Sequence, residues 1–147
     1  MRVLLIKTSS LGDVVHALPA VNDAVEAGCE IDWVVEEAFA EIAELHSGVS
    51  KVIPIAWRRW RKSLFASLNE LKEFKGELSS KYYDICLDSQ GLIKSAVWGL
   101  MSNSDSRVGF DYRSAREPLV SLLYHRKIPI PKDLHAIDRQ RELFSQA

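Results

Sequence analysis

Residues 2–13 read RVLLIKTSSLGD, an apolar run followed at once by a polar loop. A short continuous apolar run is typical of a strand covered on both faces, as the strands of parallel sheets are. The next residues, 14–27, carry apolar side chains at helical spacing, and Gly28 then favours a helix end. This order predicts a buried strand, a loop and a helix, the beginning of a βαβ unit.

The same alternation continues along the chain. Apolar runs predict further strands over 31–35, 51–56, 83–87, 107–110 and 127–131. Helical spacing predicts a short helix over 39–45 and longer ones over 61–80, 92–101, 117–124 and 134–144, with a polar loop at 103–106. Pro54 favours a strand end or a sheet edge, because proline cannot donate to a ladder. Strands alternating with helices predict an α/β fold: a Rossmann-like, doubly wound, mostly parallel sheet with helices on both faces.

Composition narrows the class of protein. A chain of 147 residues, 47% hydrophobic and 27% charged, suits one soluble domain over residues 1–147. The net charge of −1 argues against a surface built for nucleic acid, so no nucleic-acid partner is expected. Cys29 and Cys86 form no closely spaced pair, which favours a reducing cytoplasm. No run approaches the ~18 apolar residues of a membrane span, and no signal peptide is expected.

The loop after the first predicted strand is the first candidate site. Ligands of open parallel sheets bind at the carboxyl ends of the strands. Residues 8–13 offer three hydroxyl groups, one glycine and one carboxylate there. Gly12 is the only glycine, so the loop lacks the dinucleotide fingerprint, and no G-K-[ST] follows it to make a P-loop.

Asp13 has two interpretations, which the sequence leaves open. It can be the N-cap of the following helix, where a carboxylate accepts backbone N–H bonds and is favoured by the helix dipole. It can also be a general base that takes a proton from an attacking sugar hydroxyl, a step worth ~10²–10⁴-fold in rate. His16, one helical turn later, could orient Asp13, although an ordinary surface histidine is the commoner case.

Residues 57–62, Trp-Arg-Arg-Trp-Arg-Lys, combine four cations with two tryptophans; we call them the basic segment. Positive charge at the start of a helix opposes the helix dipole unless an anion compensates it. The segment is therefore either a solvated helix face with its long side-chain stems on apolar surface, or an anion clamp. Similar clusters also hold acidic membrane surfaces or nucleic acid.

Residues 88–91, Asp-Ser-Gln-Gly, follow another predicted strand. Asp88 and Gln90 could bond sugar hydroxyls while Gly91 lets the backbone approach closely. The alternative is a strand-to-helix turn in which Asp88 or Ser89 acts as a cap. His46, His125 and His135 lack metal-ligand spacing with one another or with either cysteine, so no metal site and no cofactor are expected.

The first twenty residues resemble the opening of the lipopolysaccharide heptosyltransferases, the ADP-heptose:LPS heptosyltransferase family. Further similar blocks follow in the same order, at 32–37, 52–56, 58–62, 88–95, 115–119 and 139–144. The resemblance extends over almost the whole chain, and this number of blocks in order makes it specific.

The resemblance implies a GT-B architecture, in which two Rossmann-like domains face each other across a cleft. The first domain of such enzymes binds Kdo₂-lipid A, and the second binds ADP-L-glycero-D-manno-heptose. The resemblance implies that Asp13 is the base that would activate the inner Kdo for transfer of the first heptose, with inversion and without an obligatory metal. Residues 1–147 would form the acceptor-binding domain with the donor-binding domain absent, so the chain alone is expected to be inactive.

The resemblance also implies which residues bind the acceptor and where the enzyme works. It associates Arg58, Arg59, Arg61, Lys62 and Arg116 with acceptor binding, and the two loops add Ser9, Ser10, Gly12, Asp88, Gln90 and Gly91. The enzyme would act in the cytoplasm, peripherally on the inner face of the inner membrane. The alternative is a stand-alone binding module for an anionic glycolipid or nucleic acid, without catalysis. Such a module would tolerate Asp13→Asn, whereas a transferase would not.

Overall fold

Six strands form the centre of the molecule, and the computed structural model describes all residues from 1 to 147. The strands are β1 (Arg2–Ile6), β2 (Glu30–Glu36), β3 (Val49–Ile55), β4 (Tyr82–Asp88), β5 (Asn103–Phe110) and β6 (Arg126–Ile128). The helices are α1 (Leu11–Glu26), α2 (Ala40–Glu44), α3 (Trp57–Trp60), α4 (Leu68–Ser79), α5 (Ile93–Leu100) and α6 (Ala136–Gln146). Glu37–Phe39 and Pro118–Leu123 form 3₁₀ turns. None of the helices is both long and apolar enough to cross a bilayer.

The strands form one sheet in the order β3-β2-β1-β4-β5-β6, and every neighbouring pair is parallel. The predicted Rossmann-like fold is confirmed. The chain moves outward from β1 to β3, then returns to β4 and moves outward in the other direction. The strand order therefore reverses between β1 and β4, which is where ligands bind in such sheets.

Both faces of the sheet are covered, which explains the continuous apolar run of β1. Val3 and Leu5 point to one side, where α1, α2 and α6 pack. Leu4 and Ile6 point to the other, against side chains of α3, α4 and α5. Alternate residues of a strand face opposite sides, so a strand buried on both sides is apolar at every position.

The prediction of a single helix over 61–80 was wrong. The chain instead forms the short helix α3, passes through turns over 61–67, and begins α4 only at Leu68. The Ser67 hydroxyl donates to the Ser63 carbonyl at 2.9 Å and so closes one of these turns. Side-chain bonds of this kind compete with helical geometry. Leu64, which the helical spacing placed on the apolar stripe, is exposed instead.

Other boundaries differ in smaller ways. Residues 103–106, predicted as a loop, pair with β4 and lengthen β5 at its amino end, because backbone pairing there does not need apolar side chains. The helix predicted over 117–124 is a six-residue 3₁₀ segment beginning at Pro118. Pro54 does lie in an edge strand, β3, as its missing N–H predicted.

Candidate functional site

A cleft of about 430 Å³ opens at the carboxyl ends of the strands, beside the point where the strand order reverses. Its lining is mostly polar and draws on segments far apart in the chain. The charged lining residues are Lys7, Asp13, Arg116, Lys132 and Arg139. The lining thus contains four cations and one carboxylate, and this excess of positive charge favours an anionic ligand.

Asp13 lies in the first turn of α1, but it is not the N-cap. Ser10 holds that position, and α1 begins at Leu11, three residues earlier than the apolar spacing predicted. Asp13 Oδ2 accepts a hydrogen bond from the backbone N–H of Ser10 (3.2 Å) and one from Arg116 Nη2 (3.3 Å). Oδ1 accepts no hydrogen bond from the protein. The carboxylate is thus held in place through one oxygen while the other remains available.

Lys7 is the least exposed cation of the cleft, with only 4% of its surface accessible. Its Nζ donates to the Ser89 carbonyl at 3.1 Å. Burial lowers the pKa of Lys7 to about 8, and the nearby Asp13 carboxylate only partly opposes this effect. The charged form of Lys7 is therefore poorly solvated, and a bound anion would stabilise it.

Arg139 reaches the cleft from α6. Its guanidinium lies 5.3 Å from the centroid of the Phe110 ring and donates to the Ser114 carbonyl at 3.0 Å. Burial, and then the neighbouring charge of Arg116, lower the pKa of Arg139. The sequence did not identify Lys7, Lys132 and Arg139 as site residues. Only Lys7 carried a usable signal, since it directly follows the buried strand.

Gln90 joins the two loops that were predicted to bind ligand. Its Oε1 accepts hydrogen bonds from the backbone N–H groups of Thr8 (3.1 Å) and Ser9 (3.3 Å). The side chain is buried and also lines the cleft. Gln90 therefore fixes the loop that leads into Asp13. Ser10 and Gly12 are exposed beside the cleft, and a Cβ on Gly12 would meet nothing within 4 Å.

Asp88 lies beneath the cleft and does not line it. Its Oδ1 accepts from the N–H groups of Gln90 (2.9 Å) and Gly91 (3.2 Å), and its Oδ2 from the hydroxyls of Ser95 and Tyr124 (2.7 Å each). Burial raises the pKa of Asp88, and these four hydrogen bonds oppose that rise. Asp88 therefore caps the strand-to-helix turn, and both of its oxygens are already bonded within the protein.

Two buried polar atoms in the lining of the cleft have no hydrogen-bond partner. They are Ser89 Oγ and Gln140 Oε1. Leaving such a group unpaired costs about 1–3 kcal/mol, so a polar ligand or water in the cleft would gain by satisfying it. Gly91 packs against two of the residues that line the cleft. It has φ +71°, and a Cβ there would crowd the Phe110 ring and the backbone of Arg116.

The basic segment lies outside the cleft, and its central arginine is already paired. Arg59 forms two hydrogen bonds of 2.8 Å to Glu70 and two of 3.3 Å to Glu37. These bonds, first to Glu70 and then to Glu37, raise the pKa of Arg59. The bonds from Arg59 to Glu70, together with a bond from Trp60 Nε1, lower the pKa of Glu70 to about 2. Glutamates of the protein itself thus compensate the positive charge at the start of this helix.

The other members of the basic segment differ in availability. The Arg58 N–H donates to Glu36 Oε1 at 3.0 Å, and its guanidinium lies 5.2 Å from the centroid of the Phe39 ring. Arg61 and Lys62 are exposed and form no ion pair. The structure therefore brings Asp13, Gln90 and Arg116 together in one cleft and leaves the basic segment as a separate surface.

The histidines near the cleft make few polar contacts. The rings of His16 and His135 meet edge to face, with centroids 6.0 Å apart, and His16 forms no hydrogen bond to Asp13. His135 instead caps α6, where its Nδ1 accepts from the Ile137 N–H. No group of three histidine, cysteine or acidic side chains is arranged to hold a metal ion.

Comparison with known proteins identifies the family. Residues 71–147 match glycosyltransferase family 9, the heptosyltransferases. The chain belongs to this family. Over its whole length it is 50% identical to a lipopolysaccharide heptosyltransferase 1 of Escherichia coli O18:K1:H7 and 51% identical to that of Pseudomonas aeruginosa. It covers 46% and 42% of those two proteins, and so spans less than half their length.

A solved structure of the family has the same fold. The structure of E. coli heptosyltransferase WaaC with ADP superposes with a TM-score of 0.95 at 50% identity, over 99% of this chain and 47% of WaaC. A second WaaC structure, with ADP-2-deoxy-2-fluoro heptose, agrees equally well. The resemblance found in the sequence and the Rossmann-like architecture of this family member are thus both confirmed.

Proposed function

We propose that this chain is the acceptor-binding domain of a GT-B heptosyltransferase that transfers heptose from ADP-heptose to Kdo₂-lipid A in lipopolysaccharide core synthesis. The observation that carries the proposal is the cleft at the reversal of strand order, whose lining combines Asp13 with four cations. A family membership alone would not specify an anionic acceptor. The charge of the cleft does favour one.

The cleft suits the charged part of the proposed acceptor. Kdo carries a carboxylate, and planar guanidinium groups bind carboxylates through two parallel hydrogen bonds. Arg116 and Arg139 each offer donors beyond the single polar bond they make within the protein. Lys7 adds a buried charge, and Ser89 and Gln140 add unpaired oxygens that suit sugar hydroxyls.

Asp13 is the proposed general base. Its Oδ1 would accept the proton of the attacking Kdo hydroxyl as that oxygen bonds to the anomeric carbon of heptose and the bond to ADP breaks. One displacement of this kind inverts the anomeric centre. The proton then leaves Asp13 for solvent. Anchoring through Oδ2 orients the carboxylate before the reaction, which saves the entropy of positioning it.

We place the donor mainly outside this chain. The relatives that bind ADP and an ADP-heptose analogue are about twice as long as this chain, and the resemblance assigns donor binding to a second domain. In the proposed enzyme the two domains close over both substrates and exclude water. We propose that it works in the cytoplasm, peripherally at the inner membrane, where its lipid acceptor is embedded.

The testing experiment is calorimetric titration of this chain with deacylated Kdo₂-lipid A and, separately, with ADP-heptose. We expect acceptor binding and little donor binding. Asp13→Asn should leave acceptor affinity unchanged or slightly higher, because it removes negative charge from an anion site. In a protein extended to the length of its relatives, the same substitution should slow transfer by ~10²–10⁴-fold.

Two results would contradict the proposal. A folded chain, verified by circular dichroism, that binds no acceptor would remove the acceptor site. An Asp13→Asn enzyme that transfers heptose at the unmodified rate would exclude Asp13 as the base and leave a module that binds an anion without catalysis.

A further inference from the structure

An exposed apolar loop directly follows the basic segment. Residues 61–66 are all exposed, and Phe65 is 92% accessible, the most exposed large apolar side chain of the protein. Leu64 and Leu68 are 51% and 49% accessible. We call Leu64, Phe65 and Leu68 the apolar tip. A cluster of exposed apolar side chains commonly marks a contact surface.

The apolar tip is held in position from both sides. Trp60 at its start is buried against Phe74, with ring centroids 5.6 Å apart, and Phe74 packs on Trp98 at 5.7 Å. Ser67, just before Leu68, is buried and bonds the Ser63 carbonyl. The exposed apolar side chains thus project from an anchored turn.

Positive charge surrounds the apolar tip. Arg61 and Lys62 precede it, and Lys72 and Lys75 follow on the face of α4 that carries Leu68, four and seven residues later. All four are exposed and without an ion pair. Of the neighbouring carboxylates, Glu70 is bound to Arg59 and Glu77 to Lys51, which leaves only Glu73 unpaired.

The apolar tip also lies at the same edge of the molecule as the opening of the cleft. Residues 56–68 follow β3 at the carboxyl end of the sheet, the edge where the cleft opens. A surface that meets this edge would therefore face the cleft. An acceptor anchored in that surface could then reach the cleft while its anchor stays in the surface.

We propose that the apolar tip docks on a bilayer that contains anionic phospholipids. Phe65, with Leu64 and Leu68, enters the interface, and the four cations contact the lipid headgroups. Interfacial binding of this kind combines buried apolar area with attraction to anionic lipid. The inference deepens the proposed function, on which it rests, by naming the segment through which the enzyme reaches its lipid substrate.

The test is co-sedimentation of this chain with vesicles of phosphatidylcholine, with and without phosphatidylglycerol. Phe65→Ser should weaken binding to the anionic vesicles about tenfold, as expected for removing one interfacial aromatic side chain. Lys72→Gln combined with Lys75→Gln should weaken binding to the anionic vesicles about 30-fold, because each lysine contributes a similar attraction to an anionic surface and two are removed. Neither change touches a packed side chain, so the fold should survive.

Leu45→Ser is the matched control. Leu45 is 84% exposed but follows α2, which packs on the opposite face of the sheet. Binding of that variant should equal binding of the unmodified chain. Vesicle binding that Phe65→Ser leaves unchanged would overturn the proposal, as would equal binding with and without phosphatidylglycerol. A loss of self-association by Phe65→Ser, with vesicle binding intact, would also overturn it and assign the tip to a protein contact.

The two proposals can fail separately. Binding of deacylated Kdo₂-lipid A needs no membrane, so Phe65→Ser should leave it unchanged. Vesicle binding that depends on Phe65, in a chain that does not bind this acceptor, would support the docking surface and contradict only the proposed function.

Discussion

The cleft and the basic segment each contain four cations, yet they use them differently. In the cleft, four cations from distant parts of the chain line one cavity with a single carboxylate; they are Lys7, Arg116, Lys132 and Arg139. In the basic segment the cations are consecutive or nearly so, and the central one, Arg59, is bound by two glutamates. The density of charge along a sequence thus says little about which charges are available to a ligand.

The difference has a physical cause. A helix start crowded with arginines is unfavourable by itself, so the fold surrounds it with carboxylates from β2 and α4. The cleft cations come from separate elements, and no single element has to compensate them. They remain under-paired, and Lys7 is also poorly solvated. A poorly solvated, under-paired group gains the most from a bound anion.

The largest expected effect compares the two regions directly. Arg116→Gln with Arg139→Gln should weaken binding of deacylated Kdo₂-lipid A by about 100-fold, because hydrogen bonds to charged groups contribute about 1.5–3 kcal/mol each. Arg61→Gln with Lys62→Gln removes the same charge from the exposed surface and should weaken it less than about tenfold. Calorimetry at one salt concentration measures both pairs. An equal loss for the two pairs would refute the distinction between the regions.

A smaller effect concerns pH. The pKa of Lys7 is about 8, so the side chain loses its charge as the pH rises from 7 to 9, and acceptor affinity should fall by up to about tenfold. The groups that act on Lys7 are Asp13 and Asp88, which favour its charged form, and Arg116 and Arg139, which disfavour it. Acceptor phosphates are already ionised above pH 7, since their second pKa is near 6.

Two variants isolate Lys7 as the cause. Lys7→Arg keeps its charge at pH 9 and should remove most of the decrease. Lys7→Gln should bind weakly at all three of pH 7, 8 and 9, with no trend. A decrease of the same size in Lys7→Gln would assign the pH dependence to another group.

The smallest expected effect tests the paired region. Hydrogen bonds from Arg59 and Trp60 lower the pKa of Glu70 to about 2, so its ionised form favours the folded state. This contribution is complete above about pH 4.5 and is lost as the pH falls through about 2. Glu70→Gln lacks it at every pH. The unmodified chain should therefore have the slightly higher Tm at pH 6, and the difference should shrink toward pH 2.

Thermal unfolding followed by circular dichroism measures this difference. It should be small, because Glu70 and Arg59 are both about half exposed and solvent screens their attraction. A Tm difference that is independent of pH would show that the ionisation of Glu70 does not carry the effect.

Much of the fold could be predicted because β1 is buried on both faces and is therefore apolar from Val3 to Ile6. Pro54 also marked the sheet edge correctly. The division of the helix predicted over 61–80 could not be seen. Leu64 and Leu68 have helical spacing, and only the burial of Trp60 and the bond from Ser67 to Ser63 reveal that the chain turns there.

The candidate site was partly predictable for a similar reason. Loops that follow buried strands pointed to Asp13 and Gln90. Arg139 gave no signal of its own, since its place in the cleft depends on how α6 packs. The burial of Asp88 depends on Tyr124, whose ring passes over Gly109, where any Cβ would collide with it. Contacts of this kind depend on the folded chain and not on any local pattern.

The parallel strand order also affects how the protein is made. β1 pairs with β4, whose residues lie about 80 positions later, and the cleft joins Lys7 to Arg139 across about 130 positions. At about 5–20 residues per second, a ribosome needs roughly 6–26 s to synthesise that interval. Throughout it the cleft is incomplete, and for about the first 80 positions the apolar edge of β1 has no β4 to pair with. Ligand therefore cannot assist the early steps of folding, and chaperones have that period in which to act.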